Sequence, residues 1–299
     1  MSSTDSIIAF AHIPKTAGIA VAHLFRRHFG LRALNVLARG RPDFYRPRDL
    51  RLDLRMAPIR LRCLHGHALR PCVDFEEFEE RLVWFTVLRD PIRRYISQYI
   101  YNYEVMGERF DVLHFIRHRP DKPNRQVRML AGTEDLDSAI RHVRRMACVG
   151  LTERLDESLL LMRERLGLDG LDLGDSRPRN VGEERRPVLD RGTVRAEFER
   201  HRDEVVECNR LDIQLYEFIR SEIWPRQIAE YGKDRLAQHL ATEFVGGKPR
   251  IGSRLRLGAN FALRNLVYKP WLRLDRSLSS YAPPPLRATQ EPIRRHPSL

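Results

Sequence analysis

Lys15, Thr16 and Gly18 lie in a short turn between an apolar run and a helix-like pattern, within the stretch IIAFAHIPKTAGIAV at residues 7–21. Such a turn is a phosphate cradle. At a strand-to-helix junction the backbone N–H groups have no partner within the helix and point outward beside the positive end of its dipole, so an anion can replace water there. Lys15 adds a mobile positive charge. The spacing is not that of a Walker A loop, because the Lys-Thr pair precedes the glycine. Taken alone, the same residues also suit an ordinary helix start.

A second element lies at residues 83–103, VWFTVLRDPIRRYISQYIYNY. Residues 83–88 are compact, apolar and β-favouring, as a buried parallel strand requires. Arg89, Asp90 and Pro91 follow at its carboxyl end, where Asp90 suits a helix cap and Pro91 the first helical turn. Tyr95, Ile96, Tyr99 and Tyr103 then recur at helical spacing, which sets Ser97 roughly two turns beyond Arg89. Arg89 by a bidentate pair and Ser97 by one bond could hold a second phosphate. The alternative is a locally paired arginine and a serine on an ordinary helix face.

The elements that must position these groups alternate along the chain. Short apolar runs at 7–12, 61–65, 83–88 and 148–151 read as strands. Helical patterns fall near 19–29, 93–103, 135–146, 155–166 and 193–220. This alternation predicts an α/β fold with a central parallel sheet and helices on both faces. Ligands of such sheets bind at the carboxyl ends of the strands. The turn after His12, the histidines His65 and His67, and Arg89 all fall there, so three separate motifs converge on one edge.

The two phosphate-type segments together resemble the cofactor elements of sulfotransferases that use 3′-phosphoadenosine 5′-phosphosulfate (PAPS). HIPKTAG is similar to their 5′-phosphosulfate loop, and LRDPIRRYISQY to their 3′-phosphate element. Within that superfamily the branch resembled is the uronosyl 2-O-sulfotransferases of heparan and dermatan sulfate and their bacterial relatives. Further similarity lies in Leu64-His65-Gly66-His67, in the Val149-Gly150-Leu151-Thr152-Glu153 pattern, in the basic run RPRNVGEERR at 177–186 and in Leu215-Tyr216-Glu217-Phe218.

The resemblance implies a P-loop-NTPase-like sulfotransferase fold and PAPS as co-substrate. It places the nucleotide on Lys15, Thr16, Ala17, Gly18, Ile19, Ala20, Arg89, Ser97 and, in the basic run, Arg179. One departure matters: Ile19 and Ala20 stand where the family usually carries Ser or Thr. About 1 kcal/mol for each hydrogen bond is forgone there, while the backbone amides are independent of side-chain identity.

The chemistry implied is sulfuryl transfer to a hydroxyl. It needs in-line positioning, charge stabilisation at the leaving phosphate and a base for the incoming hydroxyl. The resemblance assigns the base to His67, whose imidazole, with an ordinary pKa of about 6.5, can accept a proton at neutral pH. Lys15 would stabilise charge on the departing phosphate. His65 is a second acid/base, an orienting partner or a structural residue. No metal is required, and no metal-ligand clustering surrounds the two histidines.

Composition is that of a soluble enzyme. The 299 residues are 42% hydrophobic, enough for one substantial core and an appended segment. No apolar run reaches membrane-span length and the start MSSTDS lacks signal-peptide character, so a cytoplasmic location is expected. The four cysteines, Cys63, Cys72, Cys148 and Cys208, show no C-x-x-C spacing and are expected to be free.

Charge divides the chain into a catalytic domain at 1–225 and a basic extension at 226–299. The extension holds 14 Lys and Arg against 5 Asp and Glu, a net +9 of the total +13. Between Glu243 and Asp275 basic and apolar residues alternate without an acid. That stretch either packs its apolar side on the core or lies on an anionic surface, such as the inner face of a membrane. Beyond residue 281 the composition is that of a disordered end.

The acceptor is a hydroxyl-bearing molecule. Arg109, Arg117, Arg119, Lys122, Arg125 and Arg128 suit an acidic glycan if they face the cleft, and a solvated helix face if they do not. No nucleic-acid partner is expected. Two other classes compete: an ATP-dependent kinase-like enzyme, and a basic membrane- or polyanion-binding protein with a degenerate nucleotide site.

Overall fold

A computed structural model describes residues 5–39, 44–57, 59–120, 122–174, 188–244 and 251–271. The apolar run at the start forms β1 (Ile7–Ala11), every residue of which is buried. It occupies the middle of a five-stranded sheet with β2 (Ala33–Asn35), β3 (Cys63–Gly66), β4 (Leu82–Leu88) and β5 (Cys148–Leu151), ordered β2-β3-β1-β4-β5. All pairings are parallel.

Alternate residues of β1 enter two different cores. Ile8 and Phe10, with Cys63 of β3, pack against Val21, Leu24 and Phe25 of α1 (Gly18–Phe29). Ile7 and Ala9, with Leu64, pack against Tyr45, Leu50 and Phe75 on the opposite face. A strand buried on both faces must be apolar throughout, which is why β1 reads as a continuous run. The fold is therefore α/β with an all-parallel sheet flanked by helices.

Several elements were not legible. β2 is three residues, ALN, too short for any period. The helix α2 (Pro47–Met56) has the strongly polar sequence PRDLRLDLRM, and it is fixed by buried charge: Arg39 pairs with Asp49 and Asp53, and the Tyr45 hydroxyl donates to Asp53 at 2.7 Å.

The single helix expected at 193–220 is three: α8 (Arg191–Arg200), α9 (Arg202–Cys208) and α10 (Arg210–Phe218). At the second break the Asn209 side chain donates to the Val205 carbonyl at 2.9 Å, a local bond that competes with helix continuation. The remaining helices are α3 (Pro91–Glu104), α4 (Val112–His118), α5 (Arg125–Ala131), α6 (Leu136–Arg145) and α7 (Leu155–Arg165).

Beyond residue 223 come α11 (Trp224–Tyr231), α12 (Lys233–Glu243) and α13 (Ile251–Leu263). Trp224, Tyr231 and Leu236 join the α1-side core. The Gln227 carboxamide bonds both the amide and the carbonyl of Val149, covering the backbone of edge strand β5.

α13 lies along α1 by a polar seam: Asn260 donates to the carbonyls of Gly30 and Ala33, each at 2.7 Å, and Tyr268 donates to Asp53 at 3.2 Å. Leu255, Phe261, Leu266 and Val267 consequently point outward. On the inner side, Asn260 satisfies the backbone carbonyls of Gly30 and Ala33, and Tyr268 is buried. Residues 272–299, including the end expected to be disordered, lie outside the described residues.

Cys63, Cys72, Cys148 and Cys208 are free thiols. No helix among the described residues is long and apolar enough to cross a membrane.

Candidate active site

The turn after β1 is held from beneath by two hydroxyls. Thr86 of β4 donates to the Ala11 carbonyl at 2.8 Å, and buried Thr16 donates to the Ile13 carbonyl at 2.9 Å. Lys15 and Ala17 both adopt left-handed backbone, with φ of 70° and 62°. For residues bearing a Cβ this costs about 1 kcal/mol or more each, and it turns successive N–H groups to one side. Among the described residues the amides of Lys15, Thr16, Ala17, Gly18 and Ile19 have no acceptor, whereas Ala20 donates to the Ala17 carbonyl at 3.0 Å. Of these residues Lys15, Ala17, Gly18 and Ile19 line the cleft, while Thr16 is fully buried. Ala20, expected in the cradle, is already engaged in starting α1.

Gly18 is required sterically. A Cβ there would come within 1.9 Å of the His12 ring. That ring also stacks on Phe10, so the residue that follows β1 is held between the strand and the first residue of α1.

Lys15 extends into the cleft with its Nζ 4.5 Å from the Tyr101 ring centre. No carboxylate pairs with it among the described residues. Burial, and then Arg89 and Arg191, push its pKa down to about 8. Arg89 reaches it from β4: its Nη1 donates to the Lys15 carbonyl at 3.2 Å, while its buried Nε lacks a partner. Two cationic side chains held together without a shared acid make a site for an anion.

Arg89 is fixed by its own backbone. The Gln126 carboxamide accepts from the Arg89 amide and donates to the Arg89 carbonyl, both at 2.9 Å. Asp212 of α10 accepts from the amides of Gln126 and Val127, and fully buried Arg94 lies 3.8 Å from the same carboxylate. Asn124 completes the join by accepting from the amides of Leu211 and Asp212 at the start of α10.

Asp90 caps α3 by accepting from Arg93, and its own amide donates to Glu153. Glu153 also accepts from Tyr216, and Thr152 donates to the Leu88 carbonyl. The Val-Gly-Leu-Thr-Glu and Leu-Tyr-Glu-Phe segments therefore brace the Arg89 turn.

His67 follows β3 and its side chain reaches solvent at the cleft wall. Its Nδ1 lies 2.7 Å from the His12 carbonyl, an acceptor only, so the proton sits on Nδ1 and the Nε2 lone pair is open. Surrounding protein lowers its pKa; the His12 bond opposes this, and Arg125 and Arg70 add to the lowering. A neutral imidazole with a free Nε2 can accept a proton.

His65 is different. It is buried, lies off the cleft wall, and its pKa is driven down to about 3 by burial, Arg26 and Arg264. Of its three readings, burial removes the acid/base one and leaves a neutral residue behind His67.

One cleft of about 2440 Å³ is lined by Lys15, Gly18, Ile19, His67, Arg89 and Ser97 together. That exceeds the few hundred to roughly 1000 Å³ of a typical small-ligand site. Arg179 lies outside the described residues. No group of His, Cys, Asp or Glu among the described residues is arranged to hold a metal.

Four of the six basic residues anticipated for an acceptor are engaged elsewhere. Arg109 lies over the Tyr103 ring, and Arg117, Arg119 and Arg128 pair with Glu204, Glu108 and Glu134. Lys122 and Arg125 line the cleft. Of the six, Arg117, Arg125 and Arg128 lie on helices and Arg109, Arg119 and Lys122 between them. Sequence reasoning missed His12, Gln126, Asp212, Tyr101 and Arg191; only His12, at a strand end beside the cradle, carried a signal.

No protein-family profile matches the chain, and no curated protein matches it.

Proposed function

We propose that this protein is a PAPS-dependent O-sulfotransferase with a P-loop-NTPase-like sulfotransferase fold. The observation that carries the reading is the joint presence, in one cleft, of a turn of unpaired backbone amides with Lys15 and Arg89 and a neutral His67 whose Nε2 is free. The cradle suits the 5′-phosphosulfate and Arg89 with Ser97 the 3′-phosphate.

The nucleotide supplies the sulfuryl group. The acceptor oxygen forms the new S–O bond as the bond from sulfur to the bridging phosphate oxygen breaks. The hydroxyl proton passes to His67 Nε2, and negative charge on the departing 5′-phosphate is met by Lys15 and the cradle amides. The product nucleotide is adenosine 3′,5′-bisphosphate. The loss of Ser or Thr at Ile19 and Ala20 leaves this binding to the backbone and Lys15.

Calorimetry with adenosine 3′,5′-bisphosphate beside ATP tests the assignment. The bisphosphate should bind more tightly, and Arg89→Ala should weaken it by roughly tenfold or more, as for loss of a charged hydrogen-bonded contact. Equal binding of the two nucleotides favours the kinase reading instead.

A second role is supported by α13. Its exposed Leu255 and Phe261, with Leu266 and Val267 just beyond it, belong to a stretch without an acid between Glu243 and Asp275. An apolar face within a basic segment suits an anionic bilayer surface.

A further inference from the structure

Around Lys15 the cleft changes character, from cationic to apolar. The Lys15 ammonium lies over Tyr101. Just past the end of α3 come Val105 and Met106, both exposed, at 47% and 59%. Val188 lines the same cleft, 65% exposed, and its neighbours are tied to the end of α3: Leu189 donates its amide to Glu104 at 3.3 Å, and Arg191 pairs with Glu104 at 2.7 Å. Ile19 at the first turn of α1 is 61% exposed on the same cleft. A soluble domain rarely leaves so many large apolar side chains open at one polar site unless a ligand covers them.

Cations remain on the cleft wall at Lys122 and Arg125, but Arg109, Arg117, Arg119 and Arg128 are committed to Tyr103, Glu204, Glu108 and Glu134, so the apolar surface carries the argument. Glu104 adds a carboxylate to the same wall.

We infer that the acceptor presents its hydroxyl on an apolar body, aliphatic or aromatic, which lies against Tyr101, Val105, Met106 and Val188 while the hydroxyl reaches His67. This rests on the sulfuryl-transfer reading and names the substrate class of that site. The patch touches Lys15, the cation at the proposed transferring end, through Tyr101; because Tyr101 is also one turn beyond Ser97 on α3, the bisphosphate Kd of the variant below separates an acceptor site from a nucleobase site. The bonds made and broken are those already given, with the alcohol oxygen as nucleophile and its proton taken by His67.

The test is transfer of radiolabelled sulfate from PAPS to 2-naphthol, to 1-octanol and to an unsulfated uronic-acid oligosaccharide. At least one apolar alcohol should exceed the oligosaccharide in kcat/KM by roughly tenfold or more, the range expected for apolar pocket contacts. The Val105→Asp/Met106→Asp variant, altered only at exposed positions, should raise KM for that alcohol by a similar factor while the bisphosphate Kd stays within about twofold.

Preference for the oligosaccharide, or transfer to neither alcohol, overturns the inference. So does a variant whose bisphosphate Kd rises with the acceptor KM unchanged, since the patch would then hold the base. If wild-type protein fails to bind the bisphosphate, the parent reading falls as well; binding without apolar transfer sinks this inference alone.

Discussion

The Nδ1 nitrogen of His67 donates to the His12 carbonyl oxygen at 2.7 Å, and the His12 ring lies against Gly18, where the cradle passes into α1. The proposed base and the proposed phosphate cradle therefore share one residue as support. A methyl group at position 18 cannot fit without moving that ring. Gly18→Ala should destabilise by about 1–3 kcal/mol, as overpacking does, and lower both kcat and bisphosphate affinity. A urea titration with wild-type midpoint and slope would show that the contact is not needed.

His67 itself should separate chemistry from binding. With Nδ1 committed to the backbone, Nε2 acts only while unprotonated. His67→Gln should cut kcat by about 10²–10⁴, the usual contribution of a positioned base, with bisphosphate Kd little changed. The wild-type pH profile should rise to a plateau with a midpoint below the ordinary histidine value of 6.5, because burial favours the neutral ring. A midpoint above that value argues against His67 as the titrating group.

Lys15 predicts the opposite limb. Its pKa in the free protein is about 8, pulled from 10.5 by burial and neighbouring guanidinium groups. An anion binds the protonated form, so bisphosphate affinity should fall as pH rises through about 8 and stay flat below. For folding the sign reverses: the native state holds fewer protons than the unfolded chain between about 8 and 10.5, so stability of the free protein gains with pH in that window. Lys15→Met should abolish the pH dependence of binding and raise Tm. A lowered Tm would show that the ammonium is structurally favourable.

Much of this was legible because buried parallel strands must be apolar on both faces and their helices amphipathic. β1, β4 and β5 stand out in the sequence for that reason, and the cradle, Arg89 and His67 sit at their ends or beside them. Illegible parts depend on long-range polar contacts. Gln126 clamps Arg89 across 37 residues and Asp212 clamps Gln126 across 86, and neither spacing has a period that a window can detect. α2 escaped notice because it is fixed by Arg39, Asp49 and Asp53 more than by an apolar stripe. Arg117 read as part of a binding face because its acid, Glu204, lies 87 residues away; the acids of Arg119 and Arg128 are only 11 and 6 residues off, but in loops where no period announces the pairing.

The exposed apolar residues of α13 and of the segment that follows it give a prediction independent of catalysis. Leu255, Phe261 and Leu266 are 69%, 67% and 76% exposed. Protein should float with phosphatidylglycerol vesicles and not with phosphatidylcholine vesicles. Replacing these three residues by Asp should weaken partitioning by about tenfold or more, since both burial and charge are lost. Unchanged flotation assigns the face to no membrane role.

The join behind Arg89 should couple stability to binding in a graded way. Asp212 is completely buried, accepts two backbone amides and faces the buried Arg94 guanidinium. Asp212→Asn keeps an oxygen for an amide but leaves Arg94 without its counter-charge. Asp212→Leu also strands the amides of Gln126 and Val127. Breaking a buried pair from one side costs about 3–5 kcal/mol, so both variants should be strongly destabilised, Leu beyond Asn by about 1–3 kcal/mol for the unsatisfied donors. Because Gln126 is what holds the Arg89 backbone, bisphosphate affinity measured well below each variant's Tm should fall in the same order. If stability falls while affinity stays at the wild-type value, the clamp supports the fold without positioning Arg89, and the rigidity of the 3′-phosphate site must come from Glu153 and the cap at Asp90.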